Sequence, residues 1–231
     1  MTANVVRVVR AFDFGENVSE LYLNLCCGLS ELPPPWGLKN VDILPLKIRT
    51  DWHVNGVSYR LRGEARRLGI GFANRGHRRD TCIHLRLEDY VIIEFNAARK
   101  GTNLKFLFDQ TIPTYIRIFG AFYASVEDLD VLVREDEKLW QLSDEEHNLI
   151  LSQKKSRREG CTYIWQVNYW AREQCNNYFG LTPEQVVNAV KGQVARADVL
   201  EGGAYIVASY DPMSTDEVEL ITPKLMPLFR N

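Results

Sequence analysis

Residues 126–147 read VEDLDVLVREDEKLWQLSDEEH, and the fold turns on how this stretch is divided between sheet and helix. Ser125 can cap a helix through Asp128, yet Leu129–Val133 also suits a strand. The stretch carries nine carboxylates against Arg134 and Lys138, a formal balance of −7, while the whole chain of 231 residues carries −2. The remainder therefore carries +5, and charge is strongly polarised along the sequence.

Working toward the C-terminus, Ser143-Asp144-Glu145-Glu146 has the form of a capping box. Its acids lie in a first helical turn, and Lys154, Lys155, Arg157 and Arg158 suit the far end of the same helix. Cys161–Tyr169 alternates as a strand and leads into a helix over Trp170–Phe179 that Gly180 ends. Thr182-Pro183-Glu184-Gln185 opens another helix, with proline at its first position. Val186, Val190 and Val194 share one face of it. Gly202-Gly203 is a turn before the strand Ala204–Tyr210, and Ser214-Thr-Asp-Glu217 starts the last helix. Val218, Ile221, Leu225 and Leu228 point inward there, and Pro223 and Pro227 disturb its end.

Working toward the N-terminus, the periodicity at Leu104, Leu107, Phe108, Ile112, Tyr115, Ile116 and Phe119 marks a helix that Pro113 should kink or break. Thr81–Leu87 and Tyr90–Phe95 read as a hairpin turning at Glu88-Asp89. Residues 60–79 hold seven arginines against Glu64, and Gly69–Gly76 reads as a glycine-rich loop. Asn55-Gly56 is a tight-turn signal before a strand Val57–Leu61. Residues 36–53 are irregular. Residues 4–12 form an opening strand, and Asn17-Val-Ser-Glu20 caps a helix that Pro33-Pro34-Pro35 stops. The order strand, aromatic-Asp, turn, cap and helix occurs at Phe12-Asp13 and again at Tyr210-Asp211. The expected fold is α+β, a mixed or antiparallel sheet packed with several helices. The chain is read as a single compact domain, 1–231, with two related βα halves, 1–120 and 121–231, as the alternative.

The chemistry-bearing residues are sparse. His53, His77, His84 and His147 make no metal-ligand spacing with one another or with a cysteine. The five cysteines show no regular spacing and read as reduced thiols. No nucleophile elbow occurs. Neither a metal nor a cofactor is expected, and the expected class is not an enzyme. An alternative is a small enzyme or nucleotide-binding protein using the basic loop Gly69–Arg79, although no Lys-Ser or Lys-Thr follows those glycines. The arginines of 60–79 can also track phosphates, but the acidic half would repel a polyanion, so no nucleic-acid partner is expected. No apolar run is long enough for a membrane helix, and Arg7 and Arg10 interrupt the apolar run that a secretory signal needs. A cytoplasmic protein is the expectation.

What remains is protein recognition. An acidic surface beside aromatic residues suits a basic partner, because complementary charge raises the association rate and selects the partner. The residues expected to carry it are Glu127, Asp128, Asp130, Glu135, Asp136, Glu137, Trp140, Glu145 and Glu146. Tyr123 and Trp165 are further aromatic candidates.

The general layout, and the region from Tyr163 to Phe229 with its closing GGAYIVASYDPMSTDEVELITPKLMPLF, resembles the cytosolic immunity proteins of bacterial type VI secretion and polymorphic toxin systems. The likeness is to those paired with a nuclease toxin of restriction-endonuclease fold. It implies an α+β fold, no catalysis, and tight one-to-one binding of a cognate toxin.

Overall fold

The structure is a computed structural model that describes residues 3–76, 88–143, 145–146 and 157–229. It is an α+β fold with eight described strands. The chain divides into two compact units, one of Val6–Ala124 and one of Met1–Val5 with Ser125–Asn231.

In the first unit, strand β1 (Asn4–Arg10) leads to helix α1 (Val18–Leu29). The Asn17 carboxamide oxygen accepts from the Ser19 and Glu20 N–H groups, which occupies donors that the first helical turn leaves open. Tyr22, Leu25, Cys26 and Leu29 make the buried stripe of α1. Strands β2 (Val54–Arg60), β3 (Ala65–Ala73) and β4 (Asp89–Phe95) follow, and the order is β2-β3-β4-β1. β2 with β3 and β3 with β4 run antiparallel.

Two turn readings give way here. Asn55-Gly56 lies inside β2 and Gly69–Ala73 inside β3. Gly56 and Gly71 are there for close approach. A Cβ on Gly56 would stand 2.5 Å from the Ile70 carbonyl oxygen, and one on Gly71 would stand 2.4 Å from the Tyr90 ring. Asp89, read as a turn residue, is the buried first residue of β4. The expected strand Thr81–Leu87 lies outside the described residues.

Helix α2 (Ile112–Phe119) follows a short turn, Leu104–Phe106, and a widened π turn, Leu107–Thr111. Pro113 has no N–H for the Asp109 carbonyl, so the regular ladder cannot pass through this point. The expected kink is this change of winding. Gly120, at φ 62°, closes the helix.

In the second unit, β5 (Tyr123–Asp128) runs into helix α3 (Leu129–Trp140), which resolves the ambiguous stretch. Then come β6 (Val167–Trp170), α4 (Arg172–Phe179), α5 (Pro183–Val190), β7 (Arg196–Leu200), β8 (Gly203–Val207) and α6 (Thr215–Leu225). The strand order is β5-β6-β8-β7. Thr182 with Gln185 and Ser214 with Glu217 form reciprocal capping boxes. β7 occupies residues adjoining the expected valine stripe. It pairs with β8 through a turn at Glu201 and Gly202, both at positive φ, the geometry of a tight hairpin. Trp170 packs edge to face against both Phe179 and Phe229.

The strand-to-helix turn expected twice is found twice, with β1 leading to α1 behind the Asn17 cap and β8 to α6 behind the Ser214 cap. Among the described residues no helix is long and apolar enough to cross a membrane.

Candidate protein-binding surface

The junction of β5 and α3 sorts the acidic residues into two groups. Glu127 and Asp128 are buried, 2 % and 1 % exposed, and so do not belong to an exposed patch. The correction follows from where the strand ends. Glu127 accepts from Ser125 Oγ at 2.9 Å and lies 3.7 Å from Arg157. Asp128 caps α3 by accepting from the Asp130 and Val131 N–H groups, and Thr215 Oγ1 donates to its other oxygen. Burial pushes the Asp128 carboxyl above its ordinary value, against the pull of those hydrogen bonds.

Beyond the cap, the acids turn outward. Val131 anchors α3 in the core, while Asp130, Asp136 and Glu137 are exposed. Trp140 is 77 % exposed at the end of the helix. The two cations of α3 are already occupied. Lys138 donates to Glu135 at 2.8 Å, and Arg134 reaches Asp216 at 3.0 Å and Glu219 at 3.4 Å. Hydrogen bonds donated to these acids raise the pKa of both cations. Glu135 also receives a hydrogen bond from Tyr163.

Farther on, Glu145 and Glu146 are exposed. Ser143 and Glu146 form the expected capping box, in which Glu146 accepts from the Ser143 N–H and Oγ. These bonds hold the Glu146 carboxyl below its ordinary value. Asp144 and the helix expected beyond residue 146 lie outside the described residues.

α6 brings Asp216 and Glu219 to Arg134 from more than eighty residues away. Asp130, Glu135, Asp136 and Glu137 of α3 with Asp216 and Glu219 of α6 then stand against Arg134 and Lys138, a formal −4. The α6 pair was missed in the sequence because its closeness to α3 is tertiary. Its only local signal was the acidic first turn after Ser214. Of the aromatic candidates, Tyr123 and Trp165 are core residues and Trp140 is at the surface.

In the other candidate region, Gly69 and Gly71 are in β3, and Tyr90 covers Gly71. Arg75 is committed to Asp89 through two bonds of 2.6 and 2.7 Å, and to Glu16 at 3.1 Å. Arg78 and Arg79 lie outside the described residues. An open pocket of about 410 Å³ beside α1 is lined mainly by Leu23, Ile43, Leu44, Pro45 and Leu46. Among the described residues, no three His, Cys, Asp or Glu side chains are grouped to hold a metal ion.

No protein-family model matches this sequence, and no curated protein matches it.

Proposed function

We propose that this chain is a protein-recognition module of the immunity class, which binds a basic surface of a cognate toxin in the cytoplasm and blocks it. The resemblance in the closing region points to a nuclease effector. The observation that supports the reading is the state of the α3 face. Lys138 is held by Glu135 of the same helix and Arg134 by Asp216 and Glu219 of α6, so negative charge is left over on a helix that ends in an exposed Trp140. Such a face steers a basic partner into contact, and a large aromatic side chain supplies the short-range anchor. A surface of a nuclease that grips DNA is basic, and an acidic protein face can occupy it. Inhibition is then steric and electrostatic.

Co-expression with the product of the adjacent gene tests the function through co-purification and rescue of growth. Absence of a complex and of rescue would remove the immunity reading. The surface is tested separately. Reversing Asp130, Asp136 and Glu137 to lysine should slow association about tenfold or more at low salt, and the effect should shrink as salt screens it. An unchanged association rate at low salt would leave the function standing and discard this face.

A further inference from the structure

The acidic face leaves the basic run of residues 60–79 unexplained, and the structure gathers much of it at the tip of the β2–β3 hairpin. Arg60 stands directly opposite Arg67, and Leu61 N–H donates to the Arg66 carbonyl as the strands turn. Arg60, Arg62, Arg66 and Arg67 are all exposed. The loop after β4 adds Arg99, which donates to the Gly63 carbonyl and clamps the turn, and Lys100 beside it. Glu94 takes Arg67 at 3.3 Å. Arg60, Arg62, Arg66 and Lys100 make no ion pair among the described residues.

We infer that this hairpin tip is a second recognition surface, one that takes a carboxylate-rich segment of a protein partner. Like charges directly opposite each other on a sheet are destabilising. Their orientation is fixed, because Tyr59 and Leu68 of the adjoining pair are buried on the other face. Protection of an exposed edge accounts for a cation on β2, but Arg67 is on β3 and is paired on both sides, with Arg60 and Glu94. Arginine forks match carboxylates in bidentate fashion, and the chain already uses this geometry between Arg75 and Asp89. A carboxylate-rich segment fits better than a nucleic acid. The chain's net charge of −2 opposes a long polyanion, whereas a short acidic segment meets chiefly the charges within about a Debye length of the tip, roughly 8 Å near physiological salt. This inference does not depend on the role of the α3 face.

The test is anisotropy of a labelled Asp/Glu peptide of about a dozen residues with the full chain near physiological ionic strength, about 0.15 M. Arg60→Glu with Arg67→Glu, and separately Arg62→Glu with Arg66→Glu at the turn, should each weaken binding about tenfold or more. Lys191→Glu with Lys224→Glu makes the same change in net charge elsewhere and should have little effect. No peptide binding, or equal weakening by the lysine pair, would overturn the inference. So would tighter binding of a duplex DNA, or self-association of the chain that the hairpin variants abolish.

Discussion

At the scale of single residues, the most constrained group is the ionic cluster in the first unit. Asp89 has no exposed side-chain surface and accepts from the Ala73 N–H, from both terminal nitrogens of Arg75, and from Arg10. Arg75 also stacks over Phe12 at 4.8 Å. Removing the buried anion that two guanidinium groups share leaves Glu16 alone against both of them and the buried Ala73 N–H without its acceptor. Asp89→Ala should therefore cost about 3–5 kcal/mol in urea unfolding, and a cost under about 1 kcal/mol would show that solvent replaces the carboxylate. Glu16 adds a pH dependence. Burial pushes its carboxyl up, but hydrogen bonds from Arg10, the Asp13 N–H and Arg75 outweigh burial and hold it at about 2, against 4.5 for the free group. A carboxyl lowered by folding stabilises fully above its unfolded value and loses that contribution as the pH falls. The Glu16 contribution should be complete above about pH 4.5 and fade toward about pH 2. Asp128, raised by burial, has the opposite sign. The informative quantity is thus the difference between the native chain and Glu16→Gln, which should narrow across this window in acid unfolding curves.

At the scale of elements, β3 makes a paired prediction, since two glycines in one strand meet different surroundings. A Cβ at Gly71 would overlap the Tyr90 ring, whereas one at Gly69 would meet the Arg67 guanidinium at an ordinary 3.9 Å. Gly71→Ala should destabilise by about 1–3 kcal/mol as the ring is forced aside. Gly69→Ala should be neutral or stabilise by up to about 1 kcal/mol, because alanine has less chain freedom to lose. Similar thermal shifts for the two would contradict the packing described for β3 and β4. The same strand shows what sequence can convey. The helices opening at Asn17, Thr182 and Ser214 were legible because a cap and the N–H groups that donate to it lie within three residues. β3 was not, because glycine signals a turn unless the ring lying over it is known. β5 and α3 were ambiguous for a related reason. Asp128 is both the end of a buried strand and the cap of a helix, and its partner Thr215 is 87 residues away. The acidic character of the candidate surface was legible from composition. The burial of Glu127 and Asp128 and the arrival of Asp216 and Glu219 were not, since both depend on packing.

At the scale of the whole molecule, the two units are not two consecutive pieces of chain. The one containing α3 takes Met1–Val5 from the far end of the sequence. This is more than adjacency. Val5 is 4 % exposed, and the Ala3 carbonyl accepts from the Leu129 N–H where β5 passes into α3. A fragment starting at Ser125 therefore lacks a buried valine and the acceptor at the start of the helix that carries the candidate surface. Losing a buried aliphatic side chain costs about 1.5–3 kcal/mol, against about 5–15 kcal/mol for a typical native domain, and the missing backbone partners add to it. Residues 125–231 expressed alone should consequently unfold at lower denaturant than the intact chain, with the loss concentrated at β5 and the first turn of α3. Hydrogen exchange at Leu129 and Val131 is the direct measure. Supplying the first residues as a separate peptide should slow that exchange. Protection in the fragment equal to that in the intact chain, without the peptide, would mean that Asp128 and the strand beside it hold α3 in place unaided.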